Sequence, residues 1–286
     1  EPVMKTDASN LSGWLASAGG SSGERVQAML SLPNGSMIVA GMFEQTIEFY
    51  GDVIGYSSND SSFGIDFFVA WIDENGTWTE TLSASSSGLD GIDEMARLSD
   101  GTLVMAGTFC GMTKGDACNL TLAGLEPLNK SNDDDDNAVF LAAMSPTGGW
   151  MWATSFSNNY QMSVMDLLIT PNDEVHLAVL HRDTLMSGDD VAPGSLSEDT
   201  LAVLVLDSNG NHMHMNTVFS SESLDGLGSL CMDYTGQTYL VTSFLDQINF
   251  GDHELTSFGG SHIAVGQYNS GGWLWASGAG GTSDAS

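Results

Sequence analysis

Basic side chains are nearly missing from this chain: Lys and Arg number 6 in 286 residues, against 37 Asp and Glu, for a formal net charge of -31. Such a surface repels phosphates and anionic lipid, which argues against nucleic-acid binding and docking on a membrane surface. It also repels itself, least where salt shortens the Debye length to roughly 8 Å or below. A marine or halophilic setting is therefore expected, with an ordinary acidic secreted protein as the alternative. No run approaches the ~18 apolar residues of a membrane helix, so no membrane insertion is expected. No basic segment followed by an apolar stretch opens the sequence, and any secretory signal is expected to have been removed. Cysteines number 3, an odd count that excludes a complete disulfide framework.

What is present in quantity is glycine (34 residues) and, at 42%, enough hydrophobic residues for a sizeable core. Short strands joined by turns suit this composition better than long helices. Turn signals recur in two interleaved series. The first reads "SLPNGSMIVAG", "LSDGTLVMAG", "TPNDEVHLAV" and "DYTGQTYLVT", with Gly35, Gly101, Asp173 and Gly236 lying 66, 72 and 63 positions apart. The second reads "AWIDENGTW", "AMSPTGGW", "LVLDSNGNH" and "GQYNSGGW", with Gly76, Gly148, Gly210 and Gly271 at intervals of 72, 62 and 61. Each turn is flanked by apolar or alternating runs, the signature of a hairpin. In the first full unit the strands are expected at "RVQAMLSL", "SMIVAGMF", "DFFVAWID" and "TWTETLSA". Four short strands in ~60–70 residues, repeated, fit a propeller blade better than a sandwich. The small residues Ala40-Gly41 and Ala106-Gly107 suit either a crowded propeller axis or a β-bulge.

The fold expected is thus all-β, one domain over 1–286, with four four-stranded blades at about 19–80, 81–154, 155–216 and 217–278. An extra fourth strand precedes them at about 12–18. The "SGWLASAGG" of residues 12–20 echoes the "GGWLWASGAGG" of 271–281. A closed four-bladed ring, in which these two end strands share or contest one blade, and a part of a larger propeller are both consistent with that echo. The closed four-bladed ring is the form expected, as a monomer, with part of a larger propeller as the alternative.

"AGMFEQTIEF" followed by "IDFFVAWIDENGTW" resembles the SBBP-type β-propeller repeat, and "TSFLDQINFGDHELTSFGGSHIAVGQYNSGGWLWASGAGG" resembles it nearly as well. The resemblance spans about residues 12–286. Unit three departs most, with Leu180-His181 where the others have Phe43, Phe109 and Phe244, and with no turn glycine in "TPND". It implies a blade-building repeat of secreted and cell-surface bacterial and archaeal proteins, and no catalytic residues to carry over.

Candidate chemistry is sparse. Asp133, Asp134, Asp135 and Asp136 of "NDDDDN" offer contiguous oxygens to a hard cation such as Ca²⁺, without the alternate spacing and glycine of a strict ligand loop. A solvated acidic loop explains them as well. "DSNGN" fits a hairpin turn better than a calcium loop. His212 and His214 are two apart on an outer strand and face the same side, where two imidazoles can share a metal. His176, His181, His253 and His262 read as ordinary surface or core histidines. Six tryptophans, Trp14, Trp78, Trp150, Trp152, Trp273 and Trp275, fall on fourth strands and are expected to pack between blades. Cys110 and Cys118, separated by seven residues, are expected to form a disulfide pinning the loop between them. Cys231 in "GSLCMDY" is expected to be a buried free thiol.

No catalytic elbow, zinc-protease motif or phosphate loop is present, so neither catalytic residues nor a cofactor beyond Ca²⁺ is assigned. The expected function is a non-catalytic extracellular or cell-surface binding or adhesion module with a protein or carbohydrate ligand. A polysaccharide-acting hydrolase and a structural spacer remain the alternatives, because a propeller fold alone does not fix function.

Overall fold

The hairpin turns are where the glycines place them. Gly35, Gly101 and Gly236 adopt φ of 84°, 95° and 85°, the left-handed region that glycine enters without steric cost. The third unit has Asp173 there at φ 61°. Its carboxylate accepts a 2.7 Å hydrogen bond from the backbone N–H of Ser99, in the preceding unit's turn, which helps an aspartate hold this conformation. In the fourth unit the second turn is tighter than expected. Asn269 pairs directly with Gly272, and Gly272 rather than Gly271 takes the positive φ.

The computed structural model describes residues 7–8, 11–49, 52–54, 64–112, 118–130, 137–220, 224 and 228–281, and among them there is no helix. The chain is all-β. Sixteen of the strands among the described residues form four antiparallel meanders of four, sheets 1 to 4. Sheet 1 is Glu24–Ser31, Met37–Glu44, Ile65–Ile72 and Trp78–Ala84. Sheet 2 is Leu89–Arg97, Leu103–Gly111, Ala138–Met144 and Trp150–Phe156. Sheet 3 is Ser163–Ile169, Val175–His181, Thr200–Leu206 and His212–Ser220. Sheet 4 is Ser229–Met232, Thr238–Phe244, His262–Asn269 and Gly272–Ala279. Sheets 1 and 2 are joined edgewise by one parallel bridge, Leu89 to Ile65. The first strands of successive sheets lie against one another.

Apolar cores fill the seams between consecutive sheets. Ile38, Phe67 and Val69 of sheet 1 meet Met105, Phe140 and Met144 of sheet 2. Val104 and Leu141 of sheet 2 meet Leu177 and Leu206 of sheet 3. Leu201 and Val203 of sheet 3 meet Leu240, Phe244 and Tyr268 of sheet 4. The third strands of sheets 1 to 3 are buried on both faces, which is why "DFFVAWI", "AVFLAAM" and "TLAVLVL" are continuous apolar runs rather than alternating ones.

The Ala-Gly pairs mark a bulge. The first strand slips register between Val26 and Ala28 opposite Gly41, and between Ile92 and Glu94 opposite Gly107. A Cβ at Gly41 or Gly107 would stand 2.0 Å from the carbonyl oxygen of Arg25 or Gly91.

Between the second and third strands each unit carries a small hairpin arm beyond the four strands expected of it. The arms are Ile47–Phe49 with Asp52–Ile54, Asn119–Leu120 with Leu128–Asn129, Leu185–Ser187 with Asp190–Ala192, and Gln247–Phe250 with His253–Thr256. The arms reach back to the preceding sheet. Phe250 pairs with Val218 of sheet 3, Thr121 bridges to Ser85 at the end of sheet 1, and Phe49 pairs with Ala18.

That last pairing locates the start of the chain. The extra strand expected over 12–18 is interrupted: Leu11–Ser12 and Ala18–Gly20 are strands, and the residues between are not. The segment still occupies a fourth-strand place. Trp14 and Ala16 cover the outer face of sheet 1, against Val39, Phe43 and Phe68. The Trp14 ring lies over Gly76, where a Cβ would come within 2.7 Å of it, as the Trp152 ring lies over Gly210. Other tryptophans also pack at seams. Trp150 meets Phe67 edge-on at 6.5 Å, and Trp273 meets Phe250 edge-on at 4.7 Å while donating to the carbonyl of Thr217.

Cys110 and Cys118 form a disulfide with a Cα–Cα distance of 5.8 Å. It ties the end of a second strand to the start of the arm of unit two. Cys231 is free, and it is exposed rather than buried. The expectation of a buried thiol fails because Cys231 alternates with buried Leu230 and so faces the side of sheet 4 that no further sheet covers among the described residues. Ile263, on that same side, is 54% exposed, whereas its register equivalent in sheet 1, Phe67, is fully buried. Titration of the native, unreduced protein with a thiol reagent is therefore expected to find one rapidly reacting group. The denatured, unreduced protein should also show one. Three groups would mean that the bridge is not formed.

Candidate functional site

Repeat-equivalent positions mark a place where the packing between sheets changes character. In the first seam Ile38 of the second strand of sheet 1 packs with Met144, the last residue of the third strand of sheet 2. In the second seam the same two positions are Val104 and Leu206. In the third they are His176 and Tyr268, and the aliphatic pair has become a hydrogen-bonding one. His176 Nδ1 and the Tyr268 hydroxyl share a 2.8 Å hydrogen bond, and both residues are buried.

A second departure opens space beside them. The fourth-strand position occupied by Trp152 in sheet 2, over Gly210, is His214 in sheet 3. The shorter imidazole leaves a cleft of about 560 Å³ at the turn end of the seam between sheets 3 and 4. Its walls are the first turn of sheet 3 (Thr170, Asn172, Glu174), both turns of sheet 4 (Tyr234, Gln237, Asn269) and the strand carrying Met213 and His214. The Tyr234 ring stands fully exposed at the mouth.

At the base, the Nε2 atoms of His176 and His214 are both buried and have no hydrogen-bond partner. Glu174 Oε2 lies 3.6 Å from His176 Nε2, too far for a good hydrogen bond. Burial pushes the His176 pKa down to about 4, against the pull of Glu174, and burial also lowers that of His214. Burial raises that of Tyr268. Near neutral pH the cleft therefore presents two uncharged imidazoles, an un-ionised phenol, amides and one carboxylate.

Buried carboxylates sit elsewhere. Asp66 and Asp90 lie at the opposite end of the first seam, and Asp90 lines a pocket of about 440 Å³ there. Burial raises Asp66 to about 7, with the charge of Asp90 adding to it, and raises Asp90 to about 6. Asp90 is structurally occupied: it accepts from the backbone N–H and hydroxyl of Ser86 and from the N–H of Cys110. It thereby anchors the entry to sheet 2 and the disulfide. At the first-strand bulges, burial raises Asp93 to about 6 and Glu94 to about 7, with Asp166 and Asp93 adding to the latter.

The candidates from sequence distribute as follows. Asp133, Asp134, Asp135 and Asp136 lie outside the described residues. His212 and His214 do not act as a pair. A register shift separates Val205–His214 from Leu206–His212, and both His212 nitrogens are engaged, by Ser187 at 2.8 Å and Asp190 at 2.9 Å. Asp207 of "DSNGN" receives the N–H groups of Asn209 and Asn211, as a turn-forming aspartate does. No group of three His, Cys, Asp or Glu arranged for a metal occurs among the described residues. The cleft itself was missed, although the signal was in the aligned repeats, where His176 stands in the column of Ile38 and Val104. No protein-family model matches the chain, and no curated protein matches it.

Proposed function

We propose that this chain is a non-catalytic extracellular binding module built from β-propeller-type repeats, and that its ligand sits in the His176–His214 cleft. The observation that carries the proposal is the paired departure at the third seam. Two positions that pack apolar side chains in the first two seams hold a buried histidine and tyrosine, and a third holds His214 where sheet 2 has Trp152 and sheet 1 has Glu80. Buried polar nitrogens left without partners are costly, about 1–3 kcal/mol each, and a ligand that satisfies them offsets that cost. Glu174 is the one carboxylate among the residues lining the cleft, whereas glycoside hydrolysis generally needs two flanking the scissile bond. Binding is therefore favoured over hydrolysis. The disulfide favours an oxidising, extracellular location.

The four sheets are blades in this proposal, stacked in sequence as a propeller requires. Trp14 holds the place over Gly76 that a closing fourth blade would need, and Ile263 remains exposed. Both favour blades of a larger propeller over a closed four-bladed ring.

His214→Trp tests the site by rebuilding the packing of the second seam. The variant is expected to fold and melt like the parent. In a thermal-shift screen of saccharides, amines and peptides, compounds that stabilise the parent should leave the variant unshifted, and mass spectrometry should recover them intact. A compound returned cleaved would make the module an enzyme.

A further inference from the structure

We infer that the ligand of this cleft is a neutral saccharide, stacked on the Tyr234 ring and hydrogen-bonded to the unpartnered nitrogens of His176 and His214. The assignment rests on the cleft being a binding site, as proposed above, and adds the class of molecule it takes.

Charge removes one class first. No Lys or Arg lines the cleft, Glu174 does, and the chain as a whole carries -31. Acidic saccharides, phosphates and nucleotides are repelled at long range and find no counter-charge at short range. The buried end then sets the hydrogen-bonding requirement. His176 lines the base of the cleft at only 3% exposure, and its Nε2 is buried there without a hydrogen-bond partner. A neutral imidazole offers one donor and one acceptor nitrogen, and Nδ1 of His176 is already committed to Tyr268. A hydroxyl group both donates and accepts, so it satisfies the remaining nitrogen in either tautomer. An ammonium group donates only. On the walls the side-chain oxygens of Gln237 and Asn269 already accept from Gln267 and from the N–H of Gly271, and their NH2 groups add donors for further hydroxyls.

The mouth supplies the complementary apolar contact. An isolated tyrosine ring fully exposed on a tight turn buries nothing in the free protein. Placed at the rim of a polar cleft, it offers a flat face to the C–H side of a pyranose while its hydroxyl stays in water. A volume of about 560 Å³ falls within the ~300–1,000 Å³ usual for small-ligand sites and leaves room for a short oligosaccharide. An extended peptide would instead need an open strand edge or apolar side-chain pockets, and the base of this cleft is a polar pair.

Calorimetric titration of the full chain decides the matter, with neutral gluco-, xylo-, manno- and galacto-oligosaccharides as probes. Alginate-derived acidic oligosaccharides and a lysine-rich peptide are the comparators. Binding of at least one neutral series is expected, weakened roughly tenfold by Tyr234→Ala, the scale of one lost aromatic contact. Loss of that binding in His214→Trp is expected as well. Tyr234 is outside the core, so the first variant tests the stacking even if the second folds poorly. Binding of the acidic probe or the peptide, lost in His214→Trp, would overturn the saccharide class and leave the site standing. Neutral-saccharide binding unchanged in both variants would overturn the placement. No heat from any probe would overturn the site and the class together.

Discussion

Phe140→Ala is expected to lower the unfolding free energy by about 4 kcal/mol, within the ~3–5 kcal/mol typical of truncating a buried phenylalanine. The ring is fully buried in the seam between sheets 1 and 2. It stacks on Phe67 with centroids 5.6 Å apart and planes 19° off parallel, and meets Phe109 edge-on at 6.3 Å. It also covers the backbone at Gly107, its direct cross-strand partner, where a Cβ would lie 2.8 Å from the ring. Truncation removes all three contacts at once, and the bulged strand cannot move inward to fill the space because Gly107 already abuts the carbonyl of Gly91. Urea melts of the variant should show a lower midpoint with an unchanged slope. Met213→Ala, on a half-exposed side chain, should stay within about 0.5 kcal/mol of the parent. A loss below about 1 kcal/mol for Phe140→Ala would mean that this seam is not tightly packed.

That seam also shows how much the sequence revealed. The strands of unit one fall within a residue of where the turns placed them, because each turn has a local cause, a glycine or an Asp side chain that fixes the backbone. The apolar third strands announced burial on both faces. What stayed hidden was relational. The hairpin arms have their own signals, the Gly-Asp pairs at 51–52, 188–189 and 251–252, but their partners belong to the previous unit, and no local pattern names a partner. Cys231 sits in an apolar stretch like its equivalents. Only the neighbour that a sheet face meets decides whether such a residue is buried. The His176–Tyr268 pair lies 92 positions apart, and its meaning comes from comparing it with two other seams.

Asp66→Asn is expected to change how stability depends on pH, with the largest gain above neutrality. Asp66 is 1% exposed, and its Oδ1 has no hydrogen-bond partner. Burial, with Asp90 adding to it, holds the carboxyl at about 7, against 3.8 when unperturbed. Between about pH 4 and pH 7 the folded chain keeps a proton here that the unfolded chain has released. The folded state then binds more protons than the unfolded state, so stability falls as pH rises through this window. Well above pH 7 the whole penalty is present, a buried ionised carboxylate beside Asp90, worth about 4 kcal/mol. Asp90, Asp93 and Glu94, all raised, act in the same direction. His176 opposes them. Its pKa is lowered to about 4, so the unfolded state takes up the extra proton between about pH 4 and pH 6.5, and stability rises with pH there. The two trends partly cancel in the parent below pH 6.5, which makes the difference between variant and parent the cleaner quantity. Asn replaces the carboxyl with a group of the same shape and no charge. Its stability relative to the parent should therefore grow by about 4 kcal/mol from pH 4 to pH 8, read from urea midpoints at each pH. A difference that stays constant across that range would show that Asp66 is ionised throughout and finds in solution the partner it lacks here.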